Sequence, residues 1–142
     1  MGKRSVARIK SKAVVFDSWA LIAFFRNEDS AERITEILGE AHDRNIPALM
    51  TVINAGEIWY NIARKGGEEK SDQSIQDISH LGIRIVDADW SLTRTAAGFK
   101  KRGRIAYADC FAAALAKGEN AALVTGDPEF KLLEDEITIM WI

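Results

Sequence analysis

Residues 13–26 read AVVFDSWALIAFFR, and this stretch decides the fold. Ala13–Phe16 is a short apolar run of the kind that forms a buried parallel strand. Asp17 follows it at once. Ser18–Arg26 (SWALIAFFR) then reads as a helix. A strand that passes straight into a helix is the opening of a βα unit, with an acid standing at the junction.

Moving outward, the alternation repeats. Asp29–Arg44 is an amphipathic helix with Ala31, Ile34, Ile37, Leu38 and Ala41 on one stripe, and Asp29 and Glu32 have capping-box spacing at its start. Pro47–Ile53 (PALMTVI) reads as a second strand. Asn54–Lys65 follows, with Ala55, Ile58, Trp59, Ile62 and Ala63 on one helical face, and Gly66–Gly67 ends it. Glu68–His80 is a polar surface helix and Ile83–Val86 a third strand. Asp89–Arg102 is a helix with Asp89 as its cap, and Ile105–Lys117 is another. Ala121–Thr125 is a fourth strand, Pro128–Glu134 a short helix begun by proline, and Ile137–Trp141 a closing strand. The expected class is α/β, a single domain with a roughly five-stranded, mainly parallel sheet flanked by helices.

Composition agrees. A length of 142 residues suits one domain. With 47% hydrophobic and 28% charged residues the chain is not a disordered one. A net charge of −2 excludes a basic nucleic-acid coat protein, though not an enzyme that reaches nucleic acid through metal ions. Cys110 is the only cysteine, which excludes an internal disulfide and a cysteine-based zinc site. No membrane span or signal peptide is legible, so a cytoplasmic protein is expected.

The charge is unevenly spread. Lys3, Arg4, Arg8, Lys10 and Lys12 make residues 1–12 a basic N-terminal arm ahead of a domain over residues 13–142. A solvated arm is the favoured reading, and contact with nucleic acid the sharper one. A second basic run comprises Lys100, Lys101, Arg102 and Arg104. A helix end and a solvated turn explain it, since cations favour helix C-termini. Contact with RNA phosphates is the alternative.

Four acids are expected at one edge of the sheet. Ligands of open parallel sheets bind outside the carboxyl ends of the strands. Asp17 ends the first strand, Glu57 lies in the first turn of the helix after the second, Asp109 is near the start of its helix, and Asp127 lies just beyond the fourth strand. Structural readings compete for three of them. Asp17 and Asp127 stand where helix caps stand, and Asn54 with Glu57 has capping-box spacing. Asp109 is harder to explain that way. It is the only charged residue in Ala106–Ala116 (AYADCFAAALA), a helix apolar nearly all round. An unpaired buried carboxylate costs several kcal/mol or becomes neutral, and a cation removes the problem. The dipole of the helix N-terminus is the milder remedy.

Carboxylates without histidine or cysteine form a hard-oxygen site, suited to Mg²⁺ or Mn²⁺. Such ions polarise phosphoryl groups and let an acidic pocket accept a phosphodiester. Ser18 and Thr125 have hydroxyls beside Asp17 and Asp127 that could orient the carboxylates, or simply bond within turns. Other chemistries fit less well. No GxGxxG or Walker motif follows a strand. Trp19 stands where a D-x-D phosphatase has its second acid, and no G-x-S-x-G elbow is present. His42 and His80 fall on polar stretches, away from any general acid–base role.

Taken together, VVFDSWALIAFF, INAGEIWY, AYADCFAAALA and LVTGDPEF resemble the PIN-domain ribonucleases, in particular VapC-type toxins of toxin–antitoxin pairs. The resemblance spans nearly the whole chain. It implies Mg²⁺- or Mn²⁺-dependent endoribonuclease activity, with Asp17, Glu57 and Asp109 as metal ligands. It also implies Asp127 as a more variable fourth acid, with Glu129 as its substitute, and Thr125 as the small hydroxyl residue beside it. An antitoxin partner and a homodimer are implied too. Trp19, Phe24, Phe25, Trp59 and Tyr60 offer aromatic surface for a dimer, or else core. The rival functions are a catalytically degenerate PIN-like RNA-binding or scaffold protein, and a receiver- or phosphatase-like domain built on a phosphorylatable aspartate.

Overall fold

The computed structural model describes residues 8–142; Lys3 and Arg4 of the expected arm lie outside the described residues. Five strands form one sheet: β1 (Val14–Phe16), β2 (Ala48–Thr51), β3 (Ile83–Val86), β4 (Ala122–Thr125) and β5 (Thr138–Trp141), in the order β3-β2-β1-β4-β5. All four pairings are parallel. Every strand therefore delivers its carboxyl end to the same edge. The chain builds outward from β1 to β2 and β3, then crosses to β4 on the other side. The β1–β4 boundary is thus the switch point at which such sheets bind ligands.

Six helices cover the sheet: α1 (Ser18–Phe25), α2 (Ala31–Asp43), α3 (Val52–Gly66), α4 (Glu68–His80), α5 (Trp90–Lys100) and α6 (Tyr107–Gly118), with a 3₁₀ turn over Pro128–Leu133. Alternation along β1 splits the core in two. Val15 joins Leu49, Leu123, Phe99, Phe111 and Phe130 on one face of the sheet. Val14 and Phe16 join Met50, Val124, Ile34, Ile37 and Ile58 on the other. Burial on both faces explains why these strands are apolar runs and not alternating ones.

Three local expectations are corrected. The second strand stops at Thr51, not Ile53, because the Thr51 side chain accepts from Asn54 N–H and caps α3. Val52 and Ile53 are β-branched and look like strand, but the cap turns them into helix. Glu57 consequently lies in the second turn of α3, and Asn54 is not its cap. At α2 the residue before the helix is Ser30, without a side-chain cap bond, so Asp29 does not cap it. Asp89 does cap α5, accepting from Leu92 N–H at 2.9 Å. Gly67 ends α3 at φ +88°, where other residues are strained. Residues 8–12 are held against the body instead of being solvated throughout. Ile9 is 1% exposed, its N–H donates to Glu40 and its carbonyl accepts from Arg44. Ser11 Oγ accepts from Ala122 N–H at 3.1 Å.

Candidate active site

Phe16 pairs with Val124 in the β1–β4 ladder, so the next residues, Asp17 and Thr125, stand side by side. Both are fully buried. Thr125 Oγ1 donates to Asp17 Oδ2 at 2.5 Å, and Asp17 Oδ1 accepts from Ala20 N–H at 2.9 Å. Asp17 is therefore the cap of α1, as its structural reading had it, and also half of a buried acid–hydroxyl pair. Burial pushes its carboxyl up to about 7 against these two hydrogen bonds, and Asp127 and Glu57 push it in the same direction.

Ser18, the first residue of α1, donates its hydroxyl to Glu57 Oε1 at 2.7 Å. The same oxygen accepts from Asn54 Nδ2 at 3.2 Å. Asn54 is fully buried. Its Nδ2 also donates to Ala108 O, and its Oδ1 accepts from Thr51 Oγ1 at 2.6 Å. It thus links the cap of α3, the Glu57 carboxylate and the start of α6. Sequence reasoning treated Asn54 as a cap and missed this role. The available signal was a polar residue one turn before Glu57 on the face that packs inward.

Asp109 lies in the first turn of α6, half-buried. Burial is the largest influence on its carboxyl, followed by Asp17, Asp127, Glu57 and Glu129, and together they raise it to about 8. Asp127 caps the 3₁₀ turn, accepting from Glu129 N–H at 2.9 Å, and its own N–H donates to Thr125 Oγ1 at 3.0 Å. Glu129 is engaged elsewhere: its Oε1 accepts from Ala106 N–H at 2.9 Å, serving the uncapped start of α6.

The fold brings the four acids to one edge and into electrostatic reach of one another. Among the described residues, however, no group of three His, Cys, Asp or Glu side chains is arranged to hold a metal ion by itself. The donor chemistry still fits a hard cation. Mg²⁺ is typically held by one or two carboxylates together with water and substrate phosphates, and burial with neighbouring acids raises two of these carboxyls to about 7 and 8. Of the basic run, Lys100 donates to Ile105 O at 2.9 Å, and Arg102 pairs with Glu136 at 3.1 Å. All four residues of the run are exposed, and Lys100 and Arg102 have these partners. A groove of about 380 Å³ between α1, α3 and α4, lined by Ile22, Phe25 and Ile62, includes none of the four acids.

Residues 14–136 match the PIN domain family. The chain belongs to that family. No curated protein matches its sequence. Among solved structures, VapBC-1 of nontypeable Haemophilus influenzae is similar over 91% of this chain and 97% of that one, with a TM-score of 0.70 and 19% identity. VapBC2 of Rickettsia felis, bound to a promoter DNA fragment, gives 0.69 and 21% over 90% and 97%. Mycobacterium tuberculosis VapC20, a toxin that cleaves the sarcin–ricin loop, gives 0.63 and 12% over 84% and 94%. Likeness at these identities establishes the PIN fold, and function is argued from the site. PIN nucleases generally use divalent metal ions. Among the described residues no helix is long and apolar enough to cross a membrane.

Proposed function

We propose that this PIN domain is a Mg²⁺- or Mn²⁺-dependent endoribonuclease of the VapC type, the toxin of a toxin–antitoxin pair. One observation carries the reading. Asp109 and Asp17 are kept at the carboxyl edge with raised affinity for protons, each next to further acids. A fold bears that cost where an external cation relieves it. When bound, the ion would polarise the scissile phosphate and lower the pKa of water.

The chain's own residues hold and orient. Asp17, Glu57 and Asp109 are the assigned ligands. Thr125 fixes Asp17 through its hydroxyl, and Ser18 with Asn54 fixes Glu57. Asp127 is assigned as the fourth acid, because it acts on both Asp17 and Asp109, whereas Glu129 acts on only Asp109 of that pair. Lys101 and Arg104 are the candidates for RNA phosphate contact. A cytoplasmic homodimer restrained by an antitoxin completes the proposal. It is supported by the VapBC complexes among the fold's neighbours and by the aptness of an arginine for pairing with these carboxylates.

The test is RNA cleavage by the purified chain in Mg²⁺, in Mn²⁺ and in EDTA, with Asp109→Asn as the control for contamination. Cleavage that needs metal and vanishes in the variant supports the proposal. Metal binding without cleavage of any RNA points to a degenerate binding protein, and wild-type activity in Asp109→Asn removes the site assignment.

A further inference from the structure

An open cleft of about 700 Å³ adjoins the acids, lined by Trp19, Glu28, Asp29, Arg33, Trp141 and Ile142. Both indoles are 36% exposed, and each is held in place. Trp19 follows Ser18, the residue that positions Glu57. Its ring lies on Gly126, where an added Cβ would overlap it, and Gly126 sits between Thr125 and Asp127. One wall of the cleft therefore backs directly onto the catalytic edge. Trp141 is the register partner of Thr125 across the β4–β5 ladder, and its Nε1–H donates to Glu134 at 3.0 Å. The other tryptophans differ. Trp59 donates to Asp72 at 2.9 Å, and Trp90 stands 72% exposed at the start of α5.

We infer that the Trp19–Trp141 cleft is a subsite for one unpaired nucleobase of the RNA strand whose phosphate lies at the acid edge. This rests on the ribonuclease reading. Proteins that act on single strands take up bases by stacking them on aromatic rings, and every base has a face that stacks. Held rings are suited to this because little side-chain freedom is left to lose. Glu28 and Asp29 line the same cleft. Arg33 lines it too, and the two carboxylates accept from exocyclic amino groups. Adenine, cytosine and guanine are therefore favoured over uracil.

The test follows the four indole N–H signals by NMR in the Asp109→Asn chain with Mg²⁺, where RNA stays intact. A short single strand of mixed adenosine and cytidine is the probe. The expected result is movement of the Trp19 and Trp141 signals while those of Trp59 and Trp90 stay. The same strand annealed to its complement moves neither, and oligouridine binds more weakly. Trp141→Ala weakens binding about tenfold, and Trp141→Phe stays within about threefold. Should the wild type cleave this RNA while Trp19 and Trp141 stay unmoved, the subsite is overturned and the ribonuclease reading stands. Equal binding of oligouridine overturns the role of Glu28 and Asp29. If the wild type neither binds nor cleaves RNA, both readings fall together.

Discussion

Acids at the two ends of the sheet are treated in opposite ways. Glu136 lies two residues before β5, at the amino end. It accepts from Lys117 Nζ at 2.9 Å and from Arg102 at 3.1 Å. These bonds, that of Lys117 first, hold its carboxyl below the ordinary range. At the carboxyl end Asp17 and Asp109 are pushed up to about 7 and 8, first by burial and then by neighbouring acids: Asp127 and Glu57 act on both, and Asp17 acts on Asp109 as well. The residue chemistry is the same, so the difference is in what the fold supplies. Where an acid stabilises the chain, lysine and arginine come with it. At the switch point the surroundings offer hydroxyls, amides and more carboxylates, which is the setting that the proposed cation would relieve.

Replacing Asp109 should break this contrast most strongly. Asp109→Asn removes one acid and its repulsion with nearly the same shape. On the proposed function it also removes a metal ligand, worth several kcal/mol of transition-state stabilisation, so RNA cleavage should fall at least about a thousandfold. Metal-free stability should move the other way. The melting temperature at pH 8 should rise by roughly 2–5 °C, and the gain should shrink at pH 6, where the native carboxyl already carries a proton. Circular dichroism melts at the two pH values check this. A smaller effect is expected at Thr125, whose hydroxyl serves both Asp17 and the Asp127 N–H. Thr125→Val should cut the cleavage rate about 10–100-fold, as loss of a partner that orients a ligand does. It should also lower stability, because the part-buried Asp127 N–H loses its acceptor. Thr125→Ser, which keeps the oxygen, should recover most of both.

Proton linkage sharpens the comparison without mutation. In the unfolded chain aspartates titrate near 4. In the native chain Asp17 and Asp109 keep their protons up to about 7 and 8. Between those values the native state binds more protons than the unfolded one, so stability falls as pH rises. Metal-free protein should therefore lose several degrees of melting temperature between pH 6 and pH 9. Saturating Mn²⁺ should flatten the slope, since a cation takes over from the protons. A melting temperature independent of pH without metal would remove the electrostatic deficit on which the proposed function rests.

Much of this was legible in the sequence, for identifiable reasons. Strands buried on both faces appear as apolar runs at any distance from their partners, so β1 and β4 could be read one at a time. Asp17, Asp109 and Asp127 could be placed because each stands at a strand end or a helix start and parallel strands share an edge, whereas Glu57 lies one turn deeper in α3 than expected. Contacts made across the fold were not legible. Nothing local says that Asn54 reaches Ala108, that Glu129 serves Ala106, or that Trp19 lies on Gly126. The register of β1 against β4 brings Thr125 to Asp17, and register is a property of the assembled sheet. Boundaries failed where a side chain outweighed propensity, as at Thr51. The basic run read as one feature, but Lys100 bonds Ile105 O and Arg102 pairs with Glu136 across the surface.

Glu136 gives the smallest effect and the strictest control. Glu136→Gln removes the negative charge that Lys117 and Arg102 share, and leaves an oxygen able to accept from either. Ion pairs open to solvent contribute little, because water and salt screen them and long side chains lose freedom in making them. The melting temperature should change by no more than about 2 °C, and less at high salt. Metal-dependent cleavage should stay at the wild-type level. Both basic side chains also lie against the Phe99 ring, with Arg102 at 5.4 Å and Lys117 at 5.6 Å from its centroid, so each keeps a partner when the carboxylate goes. An acid whose charge is already neutralised by its neighbours has little left to give up. A loss of cleavage in Glu136→Gln comparable to that of Thr125→Val would mean that the two ends of the sheet are coupled, and that the charge deficit is not confined to the carboxyl edge.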